Sequence, residues 1–446
     1  MCSHQYIYVK IFKKKHMLAK PDTISHFRVR VNLYLKAHPM KKTIPFHPSD
    51  FRGAGRLAVD AVTGLTETVE RMHHNISRFP LIFGRPTNER MGGISGLVYS
   101  CIRGVTHVVG GAIDLAGRHF IEPLVPMTAE KTAAPPARDA LLAVLNGVLG
   151  DYMEKTGNPM AIQMRFRLHG RPLETGKQAL AEAIPAPQNK LLVLIHGLCM
   201  NDRKWHRNGH DHGAALARDL GYSSVYLHYN SGRHVSENGQ TLAAMLDELT
   251  RNWPVALEAV SFLGHSMGGL VARSACHYGA ASGHGWVKKL EKIVFLGTPH
   301  HGTRLERNGN RLEYALGLSP YSAALARLGS IRSAGITDLR YGSVTHGDLA
   351  GADRFKHCRD ARIPVPLPDN TMCCAIAASK RKQGDRLGRF LDSDGLVPMD
   401  SALGRHKNPA YHLGIPASRQ WVKYGINHFD LLSHPEVYET IRGFME

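Results

Sequence analysis

Five short apolar runs, separated by stretches of helical periodicity, constrain this chain more than any other feature. They are LLVLIHG (191–197), SVYLHYN (224–230), VSFLGHS (260–266), KIVFLGTP (292–299) and MCCAIAA (372–378). Runs that are apolar throughout, rather than at every second position, belong to strands buried on both faces. Between them lie DHGAALARDLG, GQTLAAMLDELTRNW and GGLVARSACHYGA, whose apolar residues recur at helical spacing. Strand alternating with helix predicts an α/β domain: a mostly parallel sheet covered by helices on both faces. That domain is expected over residues 141–446, led in by a strand-like segment at 160–173.

The rest of the 446 residues divides by composition. Residues 1–45 read as a basic, disordered arm, since the first 42 hold ten lysines and arginines against one acid, Asp22. Residues 46–140 read as a helical extension with a Pro/Ala-rich linker near 122–139. Within it, the Gly-rich apolar stretch at 92–117 suits either close helix packing or an amphipathic segment on a membrane. The stretch 303–371 is long for one crossover and has an amphipathic helical pattern, which suits a lid-like insertion or a helical pair covering the sheet edge.

A net charge of +19 draws such a chain to anionic surfaces. No zinc-finger, helix-turn-helix or RNA-recognition signature accompanies it, so nucleic acid is not the expected partner. Peripheral contact with anionic membrane through the arm fits better. Seven cysteines at irregular spacing, with no C-x-x-C, form neither a disulfide framework nor a zinc site. No apolar run reaches the ~18 residues that span a bilayer, and the N-terminus lacks the apolar core of a secretion signal. A cytoplasmic location, peripheral to the membrane, is therefore expected.

Chemistry concentrates at Gly264-His265-Ser266-Met267-Gly268. An apolar run stops there and a helical pattern starts at once. Small residues two before and two after the corner let the chain pass, so Gly264 and Gly268 frame a nucleophile elbow with Ser266 at its tip. A serine hydroxyl is a poor nucleophile until a base takes its proton, and the base needs an acid to fix its tautomer. On this fold the chain order is serine, acid, histidine. The loop after the last apolar run offers Asp385, Asp392, Asp394 and Asp400, and Asp394 stands in a turn-like Asp-Gly step. Near the C-terminus His428 and His434 compete. His428 sits in a loop, whereas His434 precedes Pro435 at a helix start. The expected triad is Ser266, Asp394 and His428, with Asp392 and His434 as alternatives. The oxyanion donors are expected to be the backbone N–H groups of Met267 and Leu198.

The segments LIHGLCMND, HYNSGRHVSENG, LGHSMGGLVARSA, VFLGTPHHG, SDGLVP and NHFDLLSHPEVY follow one another in an order that resembles the α/β-hydrolases of the lipase/esterase type. The nearest resemblance is to bacterial proteins related to the GPI inositol-deacylase and triacylglycerol lipase domains. It implies an α/β-hydrolase fold and hydrolysis of carboxylic esters, lipid-like in their acyl part, through Ser266, Asp394 and His428 without metal or organic cofactor. It says little of residues 1–140. One departure is the basic run SKRKQGDRLGR ahead of Asp394. The same triad would also serve an acyltransferase or thioesterase, and an idle hydrolase fold could serve as a membrane-associated binding protein. His206, His210 and His212 cluster before a helix, where hydrogen bonding at the helix entry outweighs a metal site. His300 and His301 precede the acid in the chain, and are expected to shape the pocket floor or support the acid loop.

Overall fold

The computed structural model describes residues 47–77, 93–116, 135–303, 332–349, 360–382 and 392–446. The basic arm, most of the linker, residues 304–331 and 350–359 of the expected lid, and Asp385 lie outside the described residues.

Among the described residues three helices come first: α1 (Pro48–Ser77), α2 (Gly93–Ala116) and α3 (Pro136–Lys155). The strands β1 (Arg165–Leu168) and β2 (Arg171–Pro172) and the helix α4 (Lys177–Ala183) follow. Then come β3 (Lys190–Ile195), α5 (His212–Leu220), β4 (Ser223–His228), α6 (Val235–Arg251), β5 (Ala259–His265), α7 (Met267–Ala281) and β6 (Leu290–Leu296). The chain finishes with α8 (Ala334–Asp338), β7 (Met372–Ser379), α9 (Met399–Ala402), β8 (Gln420–Tyr424) and α10 (Pro435–Met445). One eight-stranded sheet has the order β2-β1-β4-β3-β5-β6-β7-β8. Among the described strands β1 pairs antiparallel with both β2 and β4, and from β4 to β8 the ladders are parallel throughout.

The evenly apolar runs have a direct structural reason. Successive side chains of a strand point to opposite faces. In β3, Leu191, Val193 and Ile195 enter one core while Leu192 and Leu194 enter the other. In β6, Ile293 and Phe295 divide from Val294 and Leu296 in the same way. Leu242 and Leu246 of α6 and Leu270 of α7 cover the first face, and Leu216 of α5 with Val437 and Ile441 of α10 cover the second. Helix ends follow local chemistry. Asp211 caps α5 by accepting from the Ala214 N–H, and Gly221 ends that helix in the left-handed region.

Two elements differ from expectation. The strand-like reading at 160–173 shrinks to four residues plus a two-residue partner, because the segment turns back at His169 and Gly170, both with positive φ. The edge strand β8 is absent from the sequence reading. All five of its residues are only half-buried, so the apolar signal that marks the inner strands is missing.

Candidate active site

Ser266 is the single residue between β5 and α7. Its backbone sits at φ 55° and ψ −127°, a region few L-residues occupy. The turn is tight because chains cross closely. A Cβ on Gly268 would fall 2.1 Å from the carbonyl oxygen of Ile195, and one on Gly264 would fall 2.7 Å from Cα of Gly269. The Ser266 N–H donates to the Leu296 carbonyl at 2.8 Å, which ties the turn to the end of β6.

His428 and Asp394 come from the loops after β8 and β7. The His428 Nδ1–H donates to Asp394 Oδ2 at 2.6 Å. The other carboxylate oxygen accepts the N–H groups of Leu396 (2.9 Å) and Val397 (2.8 Å), and the His428 N–H donates to the Asp394 carbonyl at 3.1 Å. Asp394 is 1% exposed and His428 2%. With Nδ1 donating, Nε2 carries the lone pair that a base needs. The His428 ring lies against Gly297, where a Cβ would stand 3.0 Å from its Cε1. Gly297 follows Leu296, the acceptor of the Ser266 N–H, so serine and histidine gather around the same strand end. The Ser266 hydroxyl is half-exposed and has no hydrogen-bond partner among the described residues.

His265 was not singled out from sequence, although it adjoins the serine. It is fully buried, its ring centroid is 4.7 Å from that of His428, and its Nε2–H donates to the His428 carbonyl at 3.2 Å. Burial, with His428 nearby, pushes its pKa well below the ordinary histidine value, so it stays neutral.

The segment after β3 passes directly over the serine: a Cβ on Gly197 would lie 2.9 Å from Cβ of Ser266. The N–H groups of Leu198 and Met267 have no acceptor among the described residues. Met267 heads α7, where the helix dipole favours negative charge. Several contacts fix this loop. Tyr229 stacks on the His196 ring at 4.3 Å and donates to its carbonyl at 2.8 Å, and the Cys199 N–H donates to Ser231 Oγ at 3.1 Å. The helix α3 presses on it so closely that a Cβ on Gly147 would meet Cys199 Sγ at 2.2 Å. Arg167 bridges Asp139 of α3 (3.1 Å) and Asp202 of the loop (3.0 Å). Burial alone would raise Asp202, but His228 and Arg167 outweigh it and hold its carboxyl below the usual range. The contact of α3 with this loop has no signature in the sequence beyond small residues at 147 and 150.

The alternative residues have other surroundings. Asp392 faces Arg381 at 3.4 Å, and Asp400 is exposed in α9. His434 caps α10, accepting from the Glu436 N–H at 3.2 Å. His210 donates to His212 Nδ1 at 2.8 Å, and the His212 Nε2–H donates to the Leu431 carbonyl at 2.9 Å, which pins the loop carrying His428. Among the described residues no group of three histidine, cysteine or acidic side chains stands ready to hold a metal ion. The N–H groups of His300 and His301 donate to the carbonyl and hydroxyl oxygens of Ser401, bracing α9 just past Asp394.

Burial pushes His212 down to about 4, and His196 and His301 to about 3. In the unfolded chain these imidazoles take up protons near pH 6.5; in the folded chain they resist until well below it. Their contribution to stability is complete above pH 6.5 and is lost as pH falls toward 4. Each costs about 2 kcal/mol at pH 5. Urea midpoints measured from pH 7.5 to pH 5 should fall steadily; a flat profile would contradict the neutral, buried assignment.

A family model described as a domain of unknown function, DUF7379, matches residues 163–324. No curated protein matches the chain. Among solved structures, the mature lipase BlEst2 of Bacillus licheniformis is similar at 22% identity and a TM-score of 0.38, covering 64% of this chain and 96% of that one. A lipase-esterase related protein from Clostridium acetobutylicum is similar at 14% identity and a TM-score of 0.32, covering 58% and 95%. Staphylococcus hyicus lipase is similar at 15% identity and a TM-score of 0.32, covering 58% and 96%. With its sheet order, its parallel ladders from β4 to β8 and a serine set between the strand and the helix at its centre, the chain has an α/β-hydrolase fold.

Proposed function

We propose that this protein hydrolyses carboxylic esters with lipid-like acyl groups, using Ser266 as nucleophile, His428 as base and Asp394 as the residue that orients it. The observation that carries this reading is the buried 2.6 Å bond from His428 to Asp394, set beside the strained Ser266 turn. Ser266 Oγ attacks the ester carbonyl carbon as His428 Nε2 takes its proton. The N–H groups of Met267 and Leu198 receive the oxyanion. Collapse breaks the bond to the alcohol oxygen, which leaves with the proton from His428 and creates acyl-Ser266. A water, deprotonated by His428, then attacks the acyl carbon; the carboxylic acid departs and Ser266 regains its proton. Asp394 stabilises the imidazolium at both stages without being protonated itself. Two observations support a lipid-like acyl group: Leu141 and Val144 on α3 are exposed, and the Val144 carbonyl lies beside Cys199, next to the Leu198 donor. The basic arm adds attraction to anionic membranes.

A fluorophosphonate probe should label the wild-type protein and leave Ser266→Ala unlabelled. Labelling that persists in the variant ends the assignment. Across p-nitrophenyl esters from acetyl to lauroyl, kcat/KM should rise; a flat series removes the lipid preference alone. Asp394→Asn should keep the fold and lower kcat about 10⁴-fold, because the amide can hold His428 in the wrong tautomer. A variant that loses less than about tenfold would assign the orienting role elsewhere.

A further inference from the structure

The helices α1 and α2 pack as a hairpin with reversed polarity. Along α1 the exposed positions Phe51, Ala54, Ala58, Val62, Leu65 and Val69 fall at helical spacing and are all apolar. On α2, Val105 and Val108 are 65% and 73% exposed. The charged groups turn inward. Glu70 and Arg103 are buried together as an ion pair, and Arg56 clamps both oxygens of Asp114 at 2.7 and 2.9 Å. Three hydroxyls are satisfied within their own helices: Thr66, Thr68 and Thr106 donate to the carbonyls of Val62, Gly64 and Ile102. Water favours the opposite arrangement, with charges outward and large apolar residues inside. Hydrocarbon demands this one, because it solvates no polar group that the protein leaves unpaired.

We propose that the α1–α2 hairpin is a membrane-docking element that lies in the interface of an anionic bilayer, its apolar face among the acyl chains. The stripe from Phe51 to Val69 is roughly 27 Å long, at about 1.5 Å per residue. No helix among the described residues is long and apolar enough to cross a membrane, so the hairpin lies along the surface rather than through it. Charge selects the occupant. The ten lysines and arginines of the first 42 residues directly precede α1 in the chain, and each cation near an anionic leaflet contributes about 1 kcal/mol. A second copy of this chain would bring the same +19 charge toward the face and be repelled. Among the described side chains of α2, His107 and the thiol of Cys101 are the exposed ionisable ones, and the headgroup level accommodates the imidazole. The face also leads toward the serine. Phe51 of α1 and Leu141 of α3 line one apolar groove of about 380 Å³, and α3 continues to the loop that carries Leu198. The inference does not depend on the chemistry assigned to Ser266.

The test is co-sedimentation of the full chain with vesicles of phosphatidylcholine alone and of equal parts phosphatidylcholine and phosphatidylglycerol. The wild type should bind the mixed vesicles at least about tenfold more tightly than the neutral ones. The double variant Val105→Glu/Val108→Glu should bind about tenfold or more weakly, with an unchanged thermal midpoint because both sites are exposed. Ser266→Ala should bind as the wild type does. Wild-type binding by the double variant overturns the proposal. So does a chain that ignores both vesicles and elutes as a dimer that the same double substitution dissociates, because the face is then an interface between copies.

Discussion

Ser266→Gly should abolish ester turnover and make the protein more stable. Loss of the nucleophile lowers kcat by about 10⁶ in a relay of this type. The stability gain comes from the backbone. Ser266 sits at φ 55° and ψ −127°, and relief of such strain yields about 1–3 kcal/mol. Glycine gives back about 0.4–1 kcal/mol through the freer unfolded chain, so the net gain is on the order of 1 kcal/mol. Ser266→Ala should be equally inactive but no more stable, since alanine keeps the Cβ that makes this region costly. Urea midpoints for the three proteins give the answer. A glycine variant less stable than the alanine variant by about 0.4–1 kcal/mol would mean that the turn stores no strain.

The second large effect runs the other way. Gly268→Ala should leave little folded protein. Its added Cβ would stand 2.1 Å from the Ile195 carbonyl oxygen and 2.7 Å from that of His196, both backbone atoms of the central strand and the loop after it. No rotamer change relieves a clash with backbone, so the sheet must move, at a cost of about 3 kcal/mol or more. Soluble yield and the urea midpoint report it. Gly443→Ala, in α10 with nothing within 4 Å of a new Cβ, is the matched control and should be neutral or slightly stabilising. A folded Gly268→Ala protein with a wild-type midpoint would refute the tight crossing under the serine.

What could be read from the sequence follows from which physical signals are local. Strands β3, β5, β6 and β7 announce themselves because both faces are buried, so most residues are apolar, whereas β4, with Ser224 and Tyr226 half-buried, shows only its Val-Tyr-Leu run. The serine corner is legible because its constraint, two small residues flanking one tip, is a matter of five consecutive positions. Asp394 and His428 could be ranked by chain order and loop position, and the structure brings these two together. The half-buried β8 gives no such signal. Nor could sequence reveal His265 as a support for the His428 loop, because that bond joins residues 163 positions apart. The hairpin is a subtler case. Helical spacing of apolar residues in α1 is plain, but spacing alone cannot say whether the stripe faces a core or the outside. Only the inward placement of Glu70, Arg103 and Asp114 decides that.

The sheet order has a consequence for synthesis. Beyond β5 the strands β6, β7 and β8 are added one after another on the same side. Domains fold as the chain emerges from the ribosome, N-terminal parts first. The serine corner can therefore form when β3 to β6 have paired, while Asp394 arrives after β7 and His428 only after β8. If the proposed triad holds, a nascent chain would carry an unarmed hydroxyl from the synthesis of Ser266 until His428 is in place, and hydrolytic competence would switch on at the closing step of assembly.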